Sequence, residues 1–180
     1  IEFRIRNDTQ VDPEQPERTF SQRQLIECLR MGAERFGWSG RSTLPGKQQE
    51  GRWLLGLGVA AAYRDNPVMK SAARVRLDNR GIVTVETDMT DIGTGSYTII
   101  AQTAAEMMGL PLEKVVVRLG DSRLPVSAGS GGQWGANSST SGVYAACVKL
   151  RQGVAQRVGF DSAEAVFEDG RIRQADRTVP

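Results

Sequence analysis

The stretch DIGTGSYT, residues 91 to 98, sets two glycines around one threonine directly before an apolar pattern of helical period. A strand-to-helix corner of this composition can bring backbone N–H groups together on an anion. The first turn of a helix leaves its donors unpaired, and its dipole favours negative charge. Glycine also serves any tight turn that needs a positive φ, so the pair taken alone is open to an ordinary turn as well. A second Gly- and Ser-rich passage, AGSGGQWGANSSTSG at residues 128 to 142, lies ahead of another helical pattern. If both helices leave one sheet in the same direction, the two loops lie side by side and offer donors to one extended anion.

Composition removes much other chemistry. The 180 residues include no histidine, which excludes His-based triads, His-ligated zinc and His general bases. Cys28 and Cys147 sit far apart in apolar helical patterns and match no metal-ligand spacing, so both are expected to be buried free thiols. The 23 basic and 21 acidic residues leave +2, spread along the chain with no stripe for nucleic acid or a membrane surface. No apolar run is long enough to span a bilayer. Single acidic residues read as solvated surface, with Asp121 as a turn cap near the loops, while Arg118 and Arg123 are candidates to assist phosphate binding. No catalytic residue and no metal ligand is assigned.

The loops need elements to hold them. Ala73, Val75 and Leu77 alternate with Arg74, Arg76 and Asp78, and Asn79-Arg80-Gly81 turns the chain into Ile82 to Asp88, which predicts a hairpin with one buried face. Tyr97 to Met108 reads as a helix with Ile100, Ala101, Ala104, Ala105 and Met108 inward, ended by Gly109 and Pro111. Val115 to Val117 reads as a buried strand, Ser138 to Val158 as a long helix, and Asp169-Gly170 as the turn of a short hairpin. Upstream, residues 7 to 19 suggest an extended arm. A helix follows, with Ser21 as N-cap, Gln24 completing a capping box, Leu25, Leu29, Ala33 and Phe36 on one face, and Gly37 as its stop. Trp53 to Tyr63 reads as an apolar strand whose Gly56 and Gly58 suggest close backbone approach or a bulge.

The expected fold is therefore α+β: a two-layer β-β-α-β-α-β unit with a mixed sheet and helices on one face, preceded by an N-terminal helix. Residues 1–50 form the arm, helix and loop, and residues 51–180 the main body. The start at Ile1 without methionine and the stop at Pro180 read as those of a piece of a longer protein.

Residues 90 to 147, TDIGTGSYTIIAQTAAEMMGLPLEKVVVRLGDSRLPVSAGSGGQWGANSSTSGVYAAC, resemble the molybdenum-binding large subunit of the xanthine dehydrogenase and aldehyde oxidoreductase family. Residues 51 to 95 are similar to its bacterial aldehyde oxidoreductase branch. The resemblance implies that residues 51–180 are the first part of the second molybdopterin-binding domain, with the cofactor as the cytosine dinucleotide. It places the phosphate-contacting loop on Ile92, Gly93, Thr94 and Gly95, with Thr98 one turn on; Thr94 stands where xanthine dehydrogenases carry glutamine. It places the loop facing the pterin on Gly131, Gly132, Gln133, Trp134 and Gly135, where Gln133 replaces a small serine.

The family's catalytic glutamate, from a GxGE-type motif, has no match here. The resemblance implies a parent enzyme that oxidises aldehydes or N-heterocycles with water as oxygen source. Its partners would be the remaining molybdopterin-binding domains of the same subunit and the iron–sulfur and FAD subunits. The compartment, cytoplasmic or periplasmic in a bacterium, stays open. The chain alone is expected to be inactive and empty of cofactor, and to self-associate through apolar surface around Trp53 and Trp134. A non-catalytic anion-binding or interface domain is the alternative.

Overall fold

The computed structural model describes residues 1–20, 22–62 and 66–180. The chain divides into two compact units, Ile1–Tyr63 and Arg64–Pro180.

The first unit opens with a short helix, α1 (Glu2–Arg6), ahead of the arm expected over residues 7 to 19, within which Val11 bridges to Thr19. Helix α2 (Leu25–Phe36) buries Leu29 and ends at Gly37, whose φ of 72° supplies the left-handed cap the sequence predicts. Its N-cap is Gln24, without a side-chain cap bond; the expectation for Ser21 lies outside the described residues. Cys28 is exposed on this helix, contrary to the expected buried thiol. The long strand expected over Trp53 to Tyr63 is also corrected. Strand β1 (Gln49–Glu50) pairs antiparallel with β2 (Trp53–Leu54), and residues 55–62 form no strand. Nothing stands within 4 Å of a side chain placed on Gly56 or Gly58, so no close approach calls for them. A strand needs a partner for its N–H and C=O groups; the Leu55 N–H donates to the Gln48 carbonyl at 2.9 Å, and no strand pairs with the chain past that point among the described residues.

The second unit is built on a three-stranded sheet. Strand β3 (Arg74–Leu77) pairs antiparallel with β4 (Val83–Glu86), and β4 pairs in parallel with β5 (Val115–Arg118), giving the predicted hairpin and mixed sheet. Helix α3 (Ser96–Met108) makes the crossover between the parallel strands, and α4 (Trp134–Arg157) packs beside it. The inward residues Val83, Val85, Ile100, Ala104, Met108, Val143 and Cys147 form one core, with Val75, Val115 and Val117 packed on it. Burial pushes the Cys147 thiol up to about 11, so it stays protonated at neutral pH. The alternate residues face away from the helices. There the Glu86 carboxylate, only 4% exposed, gathers Arg76 at 2.7 Å, Arg74 at 3.3 Å and Arg118 at 3.8 Å. Val116 is 43% exposed, so β5 is half-buried instead of fully covered.

Helix α4 starts four residues before the predicted Ser138. The Ser139, Thr140 and Ser141 hydroxyls donate to carbonyls four residues back, at 2.7, 2.8 and 2.7 Å. Hydroxyls satisfied inside the helix no longer compete with it, and their acceptors are the carbonyls of Gly135, Ala136 and Asn137 in the added turn, whose glycine and asparagine are weak helix formers and hide it in the sequence. The chain ends in an antiparallel meander, β6 (Val166–Glu168), β7 (Arg171–Gln174) and β8 (Arg177–Val179), one strand more than the expected hairpin. Its Ile172 joins Ala155, Phe160 and Ala165 in a second core under the end of α4. Arg151 of α4 ties the two cores together, donating to the Met107 carbonyl at 2.6 Å and lying 4.5 Å over the Phe167 ring.

Gly109 has two reasons to be glycine. It caps α3 at φ 60°, and a Cβ there would stand 2.3 Å from the Phe167 carbonyl oxygen. Gly109→Ala should cost about 2–4 kcal/mol through strain and overpacking. Gly153→Ala, in α4 with open space around it, should add about 0.5–1 kcal/mol. Urea unfolding midpoints check both, and a stable Gly109→Ala protein would contradict the packing of β6 on α3.

Candidate functional site

The two glycine-rich loops leave the C-terminal ends of the neighbouring parallel strands β4 and β5, on the same edge of the sheet. At the root of the first, the Thr87 hydroxyl donates to the carbonyls of Ala72 and Pro125, and Asp88 accepts the Ser127 N–H. Met89 follows, 2% exposed, and fixes the corner in the core. The loop itself then stands out: Ile92 is 64% exposed, Gly93 and Thr94 are exposed, and Gly93 and Gly95 take φ of 92° and 80°. No atom lies within 4 Å of a Cβ built on either glycine. Gly95 is the N-cap of α3, and Thr98 is exposed on the first turn.

The amides of this loop already have an acceptor. Asp91 Oδ1 accepts from Gly93 at 2.8 Å and Thr94 at 3.0 Å, and Oδ2 from Tyr97 at 3.3 Å. The Gly93 N–H is the largest influence holding the Asp91 carboxyl below its ordinary value; Tyr97, Thr94 and Gly95 add to it, and desolvation opposes them. Sequence reading did not single out Asp91. Its position two residues before a glycine is the usual signal of a side chain that closes a turn on backbone N–H groups.

The second loop is bound to the root of the first. The Ser127 and Ser130 hydroxyls both lie 3.7 Å from the Met89 sulfur, and Ser130 Oγ donates to the Thr90 carbonyl. Its glycines are used internally. A Cβ on Gly131 or Gly132 would stand 2.5 Å from the Trp134 indole, and one on Gly135 would stand 3.0 Å from Met89 Cε and the Gly129 carbonyl. Trp134 is half-buried over this turn, so of the two tryptophans expected to be exposed only Trp53, at 64%, is fully so. The residues Ile92, Gly93, Thr94, Gly95 and Thr98 thus lie in one loop and Gly131, Gly132, Gln133, Trp134 and Gly135 in the next, with Met89 and Ser130 joining them. Arg123 instead pairs with Asp121 at 2.7 Å, and with Arg118 it lines a separate cavity of about 430 Å³. The described residues hold no grouping of three or more metal-ligating side chains and no helix long and apolar enough to cross a membrane.

As a test of fit to a phosphate-bearing cofactor, the first loop has the right shape, open on the side where two glycines bend the chain. Its donors are held by Asp91 in this conformation. The second loop brings small residues and an indole beside it, with the glycines packed against the protein's own atoms.

Residues 31–180 match the family model described as the molybdopterin cofactor-binding domain. The chain belongs to that family. Among individual relatives it is 66% identical over 179 residues to the aldehyde oxidoreductase molybdenum-binding subunit PaoC of Escherichia coli K12, across 99% of this chain and 24% of that protein. It is 32% identical over 125 residues to the putative xanthine dehydrogenase molybdenum-binding subunit XdhA of the same organism, across 65% of this chain and 16% of that one. The chain therefore spans about a quarter or less of these relatives. The fold is also that of part of CO dehydrogenase from Oligotropha carboxidovorans, with TM-score 0.63 at 16% identity, over 96% of this chain and 25% of that one.

Two outcomes follow from this geometry. Because Asp91 has a depressed folded value, its contribution to loop order is complete above the unfolded carboxylate value of about 3.9 and is lost as pH falls through the lower folded value. The Gly93 and Thr94 amide resonances should hold steady from neutrality down to about pH 4 and move below it; movement centred near pH 6 would contradict the bond. In the second loop, Gly132→Val should destabilise by about 1–3 kcal/mol, and Trp134→Ala should relieve part of that cost. A double-mutant cycle on thermal unfolding measures the coupling.

Proposed function

We propose that this chain contributes two loops to a molybdopterin cytosine dinucleotide site, as part of a molybdenum hydroxylase that oxidises aldehydes or N-heterocycles. The observation that carries the reading is the 66% identity to an aldehyde oxidoreductase molybdenum-binding subunit over nearly the whole chain. Residues 51–180 serve as part of one molybdopterin-binding domain. The remaining domains of the same subunit complete the pocket, and iron–sulfur and FAD subunits receive the electrons. When bound, the cofactor supplies the oxidation, with water as the oxygen source.

The work of this chain is to bind and orient. The bends at Gly93 and Gly95 bring backbone within reach of a pyrophosphate, and the dipole of α3 favours the negative charge there. Thr94 and Thr98 are exposed and carry hydroxyls that can add donors, the Thr94 hydroxyl lying 3.4 Å from that of Ser96. The second loop presents its backbone from Gly131 to Gly135 toward the pterin, held in place by the indole of Trp134 and by Ser130 on the Thr90 carbonyl. A role as an interface domain alone is the second reading. It is favoured by the internal use of Gly131, Gly132 and Gly135, whose smallness the protein's own packing already explains.

Thr98→Val separates the two readings, because it removes an exposed hydroxyl with little change of shape. Calorimetric titration of the chain with cytosine diphosphate, the terminal portion of the dinucleotide, should show affinity lower by about two- to tenfold in the variant, the worth of one hydrogen bond. Its melting temperature should stay within about one degree. No heat of binding in either protein would favour the interface reading.

A further inference from the structure

We infer that Asp91 acts as an internal stand-in for the ligand anion: its carboxylate occupies the loop amides, and a phosphate group gains them only when Asp91 swings out. The inference rests on the reading of this loop as a phosphate site, which the family match over residues 31–180 supports independently of the loop's geometry.

Two features set up the competition. The donors are shared, since the Gly93, Thr94 and Tyr97 N–H groups that point into the corner all bond to one carboxylate at 2.8–3.3 Å. The charge is unshielded, since no cation pairs with Asp91 among the described residues. A phosphate approaching the loop therefore meets a like charge at the place where the helix dipole would attract it. Shape offers no comparable barrier, because the glycine side of the loop is open and Asp91 is only half-buried. An acidic residue so placed keeps the amides ordered and satisfied in the absence of ligand. It also selects for ligands that can replace it, which a diphosphate with two charged groups does better than a single carboxylate or a chloride ion.

The substitution that isolates the charge is Asp91→Asn. Asparagine keeps an oxygen acceptor for the Gly93 and Thr94 N–H groups and loses the negative charge. Inorganic pyrophosphate is the probe, titrated into the 180-residue chain with backbone amide resonances as the readout. The expected result is binding about tenfold tighter in Asp91→Asn than in the wild type, with the largest shifts at Gly93, Thr94 and Tyr97. In the wild-type chain, independent of any variant, the Asp91 side-chain carboxyl carbon resonance should move to its solvent-exposed position as pyrophosphate saturates. Equal affinity in the two proteins, or weaker affinity in the variant, would overturn the inference while leaving the phosphate site standing, as would an unmoved Asp91 carboxyl signal in a saturated wild type. If neither protein binds pyrophosphate, the reading of the loop falls, and this inference falls with it.

Discussion

The parallel pairing of β4 with β5 is the constraint on which the second unit depends. Parallel neighbours cannot be joined by a tight turn, so the chain must travel back along the sheet, and α3 is that return path. A helix starting just beyond the C-terminal end of β4 places its unpaired N–H groups at that edge. The glycine loop lies there because the crossover begins there. The passage after β5 leaves from the same edge, so the second loop and the start of α4 arrive beside the first. Met89 and the Ser130 bond to Thr90 hold together two loops that the topology has already made neighbours.

The sheet assigns different tasks to its two faces. Toward the helices, Val83 and Val85 are fully buried, and apolar packing sets the register. Away from them, one carboxylate with three guanidiniums in reach spans all three strands, since Arg74, Glu86 and Arg118 lie on one rung. Three arginines, each half or more exposed, around a single buried acid leave this face positive.

Legibility in the sequence followed the range of the forces involved. The β3–β4 hairpin and α3 were readable because alternation, helical period and the Gly109 stop act over a few residues. The start of α4 was hidden, because its first turn carries Gly135 and Asn137, weak helix formers that read as the end of the glycine-rich loop. The apolar run after Trp53 looked like a strand, yet pairing is a property of two segments, and among the described residues the second runs out after the Leu55 N–H bond to the Gln48 carbonyl. At the candidate site the residue types were visible and their uses were not. Gly93 and Gly95 bend the chain in open space, while Gly131 and Gly132 make room for an indole three and two positions on. No local pattern distinguishes these two uses of glycine. Asp91 escaped notice because, read singly, an acidic residue in a polar loop is ordinary surface.

The strand-free segment from Met69 to Ala72 crosses α4 where Gly142 has no side chain; a Cβ there would stand 2.6 Å from the Ser71 carbonyl. The crossing is fastened by the Met69 N–H donating to the buried Ser138 hydroxyl, a bond between residues 69 apart in sequence. Closing so long a loop costs chain entropy before the contact returns anything, and the cost grows with the separation. The hairpin and the α3 crossover, being local, can assemble first. The strap over α4 then belongs among the last contacts to form, and with it the seating of Ala128 on Ser71 at the base of the second loop. The corner that brings the two loops together is thus expected to be completed late in folding.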